Sequence, residues 1–407
     1  MYILSFGAVD TIAIATVFLL IGNILRKRVP MLERFCIPAH VVGGLLFSLI
    51  ALYGYTNSKY KFEFHYLVQM LCMTICFTAV GFSCNLRAAK NYGARGSRLA
   101  LVIAVVVICQ DILGIVLAKI FGVNLLLGLS TASVAMVGGH GTAGAFAPIF
   151  EQMGAKGAAT VGLSAATFGL VAGGLIGGPV AKYIYDKHHA DYRFKMVDVD
   201  LPEEEVDDIC CNDTKPVLLH PERLYSAVLQ IIIAVGIGDT LAGYFTELGW
   251  TFPPYMGGLI AGMVIRNIAV FTNMYDVHMD EVNAIGGLGL GLFVTLALMT
   301  LKLWELAGLA LPMLVMLFAQ VALMAVLAIL VAFKLLGGDY DANVMAGGVC
   351  GFALGAMPNA LSNMQTFTKK YHPSPTAMLV LPSIGAVSID IINGLVIIVL
   401  MNLVKYI

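Results

Sequence analysis

Two glycine-rich segments carry polar residues within otherwise apolar sequence. The first, near residues 125–150, contains Gly138, Gly139, His140, Gly141 and Thr142. Glycine permits backbone conformations that other residues avoid, and irregular backbone is tolerated at membrane depth only where protein shields it or where it lines an aqueous cavity. Helix N-termini exposed at such a turn attract carboxylates, and free carbonyl oxygens attract sodium. This segment therefore predicts a re-entrant hairpin whose tip binds ions.

The second segment, near residues 342–366, contains Gly347 and Gly348 and continues to Pro358, Asn359 and Asn363. Proline breaks or kinks a helix, and amide side chains are costly against lipid. The segment therefore predicts a second re-entrant hairpin. One alternative stays open for both segments, namely that the glycines only let helices pack closely.

Several polar groups inside apolar stretches are candidate ligands. Asp390 lies among isoleucines, and a carboxylate there costs several kcal/mol unless it faces a cavity, a partner or a cation. Asn393, three residues later, shares its helix face. Together they look like cation ligands or a proton site, and with Thr167 and Gly138 they are our candidate sodium ligands. The alternative for Asp390 and Asn393 is a polar pair that joins two helices. His140 has two possible roles, as a hydrogen-bonded interior histidine or as a ligand-binding group.

The elements that must position these residues are membrane-spanning helices. The chain is 59% hydrophobic and 12% charged, against ~25% charged residues in an ordinary soluble domain. Hydropathy predicts an all-α polytopic membrane protein of about ten transmembrane helices. The predicted spans lie near residues 8–25, 36–54, 66–84, 98–121, 157–182, 223–245, 253–270, 283–303, 308–335 and 376–404.

Composition and motifs exclude other functions. The net charge of −1 leaves no basic surface for nucleic acid. HExxH and GxSxG motifs, a catalytic paired-aspartate motif and zinc-binding spacings are all absent from the sequence, which argues against an enzyme. We expect no organic cofactor.

Basic residues are concentrated in the loops after the first, third and fifth spans. The positive-inside rule makes these loops cytoplasmic and puts both the N- and the C-terminus outside. The polar segment 183–222 is then predicted to be a cytoplasmic linker. In the same orientation, the first hairpin enters from outside and the second from the cytoplasm, so that the two tips can meet near the midplane.

The two halves of the chain resemble each other. Each half carries two glycine pairs, and corresponding pairs recur about 210 residues apart, at Gly43-Gly44 and Gly138-Gly139 in the first half and at Gly257-Gly258 and Gly347-Gly348 in the second. Because each half has five spans, the second must insert with inverted topology. We therefore predict inverted repeats at 1–182, with a re-entrant loop near 125–150, and at 223–407, with a re-entrant loop near 342–366.

Six runs of sequence resemble the bacterial sodium/glutamate symporter family, at residues 137–142, 166–171, 173–180, 301–306, 362–365 and 389–393. The resemblance extends from the second span to the tenth. The first loop motif of the family falls on residues 138–142. The second falls on Cys350, Gly351, Phe352, Leu354, Gly355, Ala356 and Pro358, and the chain departs from the family pattern at Val349, Ala353 and Met357.

The resemblance implies a homodimeric, multi-pass carrier of the bacterial inner membrane that couples sodium entry to L-glutamate uptake, with elevator-type alternating access. The substrate site would comprise Gly139, His140, Gly141, Thr142, Gly351, Gly355, Pro358, Asn359 and Asn363. The alternative is a symporter, coupled to sodium or to protons, for another small organic anion or amino acid, because Asp390 and His140 could titrate.

Overall fold

A computed structural model describes residues 2–30, 32, 37–57, 60–87, 93–188, 219–306 and 309–404. Its helices are α1 (Ala8–Arg28), α2 (Ala39–Thr56), α3 (Tyr66–Phe82), α4 (Gly93–Phe121), α5 (Leu125–Ser130), α6 (Ser133–Met136), α7 (Gly139–Gln152), α8 (Ala158–His188), α9 (Pro221–Glu247), α10 (Pro254–Thr272), α11 (Met279–Met299), α12 (Ala310–Leu327), α13 (Phe333–Leu336), α14 (Tyr340–Leu354), α15 (Met357–Lys370) and α16 (Pro375–Val404).

Nine helices in the described ranges are long and apolar enough to cross a bilayer, with Ala310–Leu336 counted as one. The tenth, α16, bends by 40° between Gly385 and Ser388. Each corresponds to one of the ten predicted spans, so the all-α polytopic fold class is confirmed. Two local features were not predicted: a π-helical turn at Ala328–Ala332 and a parallel two-stranded ribbon of β1 (Tyr2–Ser5) and β2 (Tyr60–Glu63).

The helices pack in two groups. The first helix group comprises α1, α2, α3, α9, α10 and α11, and the second comprises α4 to α8 together with α12 to α16. Small residues allow the close contacts within the first group. A β-carbon on Gly43 of α2 would collide with the Phe18 carbonyl of α1, and one on Gly257 of α10 would collide with the Gly238 carbonyl of α9.

The second helix group contains both glycine-rich segments, and each is built from short helices. The first segment consists of α5, α6 and α7, and the second of α14 and α15. At 1.5 Å rise per residue, the longest of these helices, with 15 residues, is about 22 Å long, which is less than the ~30 Å hydrocarbon core. The arms α14 and α15 pack along each other, and both contact α8.

The predicted linker at 183–222 falls largely outside the described residues, which resume at residue 219. At its edges, α8 continues as far as His188 and α9 begins at Pro221. The prediction of a cytoplasmic linker therefore stays a prediction.

Candidate solute and cation site

The first segment is broken between α6 and α7. Helix α6 ends at Met136, and α7 begins at Gly139, whose φ of 60° lies in the left-handed region. Residues with a β-carbon avoid this region, which explains the glycine. The irregular backbone predicted for this segment is therefore present at residues 137–138, while His140, Gly141 and Thr142 lie in the first turns of α7.

The second segment is broken between α14 and α15, at Gly355 and Ala356. Pro358 lies in the first turn of α15, where its missing N–H costs no hydrogen bond. Gly347 and Gly348, which the sequence placed in register with Gly138 and Gly139, lie within the continuous helix α14 and not at its break. They allow close packing instead: a β-carbon on Gly347 would lie 2.9 Å from Ala181 Cβ of α8.

The two breaks lie side by side. A β-carbon on Gly139 would come within 3.4 Å of the Gly355 carbonyl oxygen. A cavity of about 360 Å³ opens at this junction. From the second helix group it is lined by Val137, Gly138, Gly139, His140, Gly141, Leu170, Phe352, Gly355, Ala356, Met357, Pro358, Ile389 and Asp390.

The opposite wall of the cavity comes from the first helix group. Its lining residues are Pro38, His40, Cys76, Phe77, Val80, Leu290 and Val294, on α2, α3 and α11. None of these residues was predicted as a site residue. For His40, a signal was available, because it lies between Pro38 and the Gly43-Gly44 pair from which a repeat was predicted.

The cavity combines two kinds of electrostatic environment. Helices α7 and α15, each of 14 residues, begin at its edge, and the first N–H groups of a helix have no intrahelical acceptor and carry partial positive charge. Asp390 provides a carboxylate on the α16 side. The arrangement can therefore attract a carboxylate at the helix N-termini and a cation at Asp390.

His140 lines the cavity and is also hydrogen-bonded behind it. Its Nε2 lies 2.9 Å from Thr167 Oγ1, and the Thr167 hydroxyl donates to the Leu163 carbonyl at 3.0 Å. Since a hydroxyl has only one proton to donate, Thr167 accepts from His140 Nε2–H, and Nδ1 is left as an acceptor. Thr167 thus positions the imidazole from outside the cavity lining.

The remaining predicted site residues lie behind the lining. The Asn359 amide donates to the Leu170 carbonyl at 2.7 Å, and the Asn363 amide donates to the Gly173 carbonyl at 2.9 Å, so both attach α15 to α8. At Gly351, α14 packs closely against the backbone of α15 at Ala360. Thr142 is buried against Gly138.

Asp390 and Asn393 do not share one environment. Asp390 lines the cavity, whereas the Asn393 amide donates to the Ser133 carbonyl at 3.3 Å. The structure therefore brings Gly138, Gly139, His140, Gly141, Gly355, Pro358 and Asp390 together at the cavity. Thr142, Thr167, Gly351, Asn359, Asn363 and Asn393 are not among its lining residues.

Membrane-spanning helices, a solute-sized cavity between two helix groups and broken helices at its edge are typical of a secondary carrier. Comparison with known proteins gives the family. Residues 4–373 match the family model described as sodium/glutamate symporter. The chain belongs to the sodium/glutamate symporter family, which consists of transporters rather than enzymes, as the sequence predicted.

Relatives match along almost the whole chain. A sodium/glutamate symporter of Haemophilus influenzae is 35% identical over 400 residues, which cover 96% of both chains. The sodium/glutamate symporters of Escherichia coli and Shigella flexneri are each 36% identical over 389 residues, which cover 95% of both chains. No solved structure gives a significant match.

Proposed function

We propose that this protein couples sodium entry to the uptake of L-glutamate by symport, and that solute and ion bind where the two helix breaks meet. The observation that carries the proposal is the convergence of the α7 and α15 N-termini and Asp390 on one cavity. The names of the relatives, which are 35% and 36% identical over nearly the whole chain, support sodium and glutamate as the pair.

Each group at the cavity has a role in this proposal. Main-chain N–H groups at Gly139, His140 and Gly141 receive one carboxylate, and the start of α15 near Gly355 and Pro358 receives the other. Asp390 binds sodium with the carbonyl oxygen of Gly138. Asn359, Asn363, Thr142 and Gly351 hold the backbone of the two tips in place, and Thr167 orients His140.

Two features support inverted repeats with re-entrant hairpins. The glycine pair of α2 contacts α11 through Gly44 and Leu298, and the glycine pair of α10 contacts α3 through Gly258 and Thr78. The second span of each half thus packs against the third span of the other half. The helices of both broken segments are short, as expected for the arms of hairpins that enter the bilayer and return to the same side. We retain repeats at 1–182 and 223–407, joined by a linker at 183–222.

The position of the cavity supports elevator-type alternating access. One wall comes from the first helix group, and the other, which contains both breaks and Asp390, comes from the second. If the second helix group moves past the first, the bound solute and ion travel with it. The family membership supports an inner-membrane location and a homodimer, and the basic loops support termini outside the cell.

Uptake into proteoliposomes tests the proposed function. Purified protein should accumulate labelled L-glutamate when an inward sodium gradient is imposed, and replacing external sodium with choline should abolish accumulation. Empty liposomes provide the control for passive leakage. Uptake that is indifferent to the sodium gradient would contradict the proposal.

A symporter for another small organic anion or amino acid is the second candidate. Met357 lines the cavity at the first position of α15, where the family pattern tends to have a hydroxyl residue. Loss of that hydroxyl would favour a solute that makes fewer hydrogen bonds to the start of α15. Competition by a panel of anions and amino acids, under sodium gradients and under proton gradients, separates the two candidates.

A further inference from the structure

Three buried residues with oxygen-bearing side chains form a cluster that does not line the cavity. Its members are Asp111 on α4, Ser133 at the start of α6 and Asn393 on α16. The exposed fractions of these residues are 0%, 0% and 1%, so none of the three reaches solvent. They come from three elements that the chain brings together only through folding.

The main chain of Ser133 connects Asp111 to Asn393. Its N–H donates to Asp111 Oδ1 at 3.0 Å, and its carbonyl oxygen accepts from Asn393 Nδ2 at 3.3 Å. The backbone leaves helical geometry just before Ser133, because Ala132 has φ −99° and ψ −135°. The break between α5 and α6 therefore brings Ser133 to α4 on one side and to α16 on the other.

The polar atoms of this cluster are poorly satisfied. Asp111 Oδ2 and Asn393 Oδ1 are buried without a hydrogen-bond partner among the residues that the structure describes, and the Ser133 hydroxyl has the Asp111 carboxylate as its neighbour. Leaving a buried polar atom unsatisfied is unfavourable, and more so for a charged carboxylate. Nor does any described lysine, arginine or histidine form an ion pair with Asp111.

A cation held by this cluster would supply the partner that its buried oxygen atoms lack. Carboxylate, hydroxyl and amide oxygens are hard donors that suit alkali and alkaline-earth cations. The single carboxylate balances one positive charge, whereas divalent calcium usually takes six to eight oxygens with more carboxylates among them. The donor set therefore favours a monovalent ion.

We propose that Asp111, Ser133 and Asn393 form a sodium site that is separate from the Asp390 position in the cavity. The choice of sodium rests on the proposed function. Ser133 lies five residues before Gly138, and Asn393 lies three residues after Asp390. An ion bound here would fix α6 and α16 to α4 and thereby order the first helix break before solute binds.

Sodium-dependent thermal stabilisation of the purified full-length protein, measured without glutamate, tests this site. Sodium is titrated against choline at constant ionic strength, and the sodium concentration that gives half of the rise in melting temperature is compared between variants. Asp111→Asn should raise this sodium concentration about tenfold, which corresponds to about 1.4 kcal/mol of binding free energy. Ser133→Ala, which removes only a hydroxyl, should raise it by a smaller but measurable factor.

Thr131→Val is the matched control. Thr131 is also buried and two residues away from Ser133, but its hydroxyl donates to the Gly128 carbonyl at 2.9 Å. Its removal should leave the sodium midpoint unchanged. If Asp111→Asn does not yield folded protein, Ser133→Ala against Thr131→Val still decides the question.

The outcomes separate this site from the proposed function. Sodium midpoints that are the same in wild type, Ser133→Ala and Asp111→Asn would overturn the site, even if uptake is sodium-coupled. Absence of sodium-specific stabilisation in the wild type would overturn it as well. A shifted midpoint in a protein whose uptake ignores sodium would support the site and refute the proposed function.

Discussion

Asp390 is the carboxylate of the second helix group that faces the cavity. Its position near the two helix breaks makes it the residue whose charge should matter most for ion binding at the cavity. The sequence singled it out correctly as a costly residue in an apolar helix, but its distance from the first break could not be inferred. That proximity depends on how α16 packs, and no local pattern encodes it.

Replacing Asp390 with asparagine should raise the sodium concentration for half-maximal uptake about tenfold, which corresponds to about 1.4 kcal/mol. The asparagine keeps the size of the side chain and removes its charge, so that the effect reports on the ion. Sodium titrations of glutamate uptake in proteoliposomes measure it. Asp10→Asn, at an exposed position in the first turn of α1, is the control and should have no effect.

Unchanged sodium dependence in Asp390→Asn would exclude this carboxylate as a ligand. An unchanged sodium midpoint together with a lower maximal rate would instead indicate a role in the conformational change.

Asn359 and Asn363 illustrate what residue types alone could not provide. Both were predicted to contact solute, and that role stays a prediction. Their amide groups donate to the carbonyls of Leu170 and Gly173 on α8, behind the cavity lining. Those acceptors lie about 190 residues earlier in the chain, and a pairing of this kind depends on tertiary packing.

The glycine-rich segments are the elements whose behaviour the sequence predicted in part. A re-entrant hairpin was expected in each segment, and each segment has a helix break, because Gly139 permits a left-handed backbone and Pro358 favours a helix start. Re-entry of the arms stays a prediction. Gly347 and Gly348 remain helical, since a glycine within a helix can serve packing as well as bending. The alternative that glycines allow close helix contact therefore holds for part of the second segment.

Gly139→Ala tests the junction of the two breaks. Alanine at φ 60° is strained by about 1–2 kcal/mol, and its β-carbon would point at the Gly355 carbonyl, 3.4 Å away. We expect the Michaelis constant for glutamate to rise about tenfold, because the β-carbon narrows the place where main-chain N–H groups meet the solute. Uptake kinetics and melting temperature are measured together.

Gly122→Ala provides a matched control. Gly122 has a φ of 66°, and a β-carbon there would meet no atom within 4 Å. The two substitutions should lower the melting temperature to a similar degree, but only Gly139→Ala should weaken glutamate uptake. Equal effects on the Michaelis constant would mean that the junction has no particular role in solute binding.

At the scale of the whole molecule, the division into two helix groups is the feature that the sequence predicted least. Hydropathy located the ten spans, and the glycine pairs at residues 43–44 and 257–258 both make close helix contacts, while the repeat that they suggested stays a prediction. Neither signal reveals that spans one to three and six to eight pack as one group. Group membership is decided by side-chain contacts between segments far apart in sequence.

A disulfide between the helix groups should stop transport. A β-carbon on Gly144 of α7 would lie 3.2 Å from Ala297 Cβ of α11, close enough for a disulfide after a small adjustment. In a background without the native cysteines, oxidation of Gly144→Cys/Ala297→Cys should abolish glutamate uptake, and reduction should restore it, if the groups move past each other.

The control disulfide lies within the second helix group. A β-carbon on Gly162 of α8 would lie 3.5 Å from Ala143 Cβ of α7. Oxidised Ala143→Cys/Gly162→Cys protein should retain uptake, because these two helices move together. Full activity of the oxidised inter-group pair would contradict an elevator movement.

An experimental structure of the protein with L-glutamate and sodium bound would test the proposed binding site directly. We expect density for the amino acid between residues 138–141 and residues 355–358, with its carboxylates near the N-termini of α7 and α15 and an ion next to Asp390. Glutamate bound at any other place, with this junction closed or filled by lipid, would contradict the proposed site.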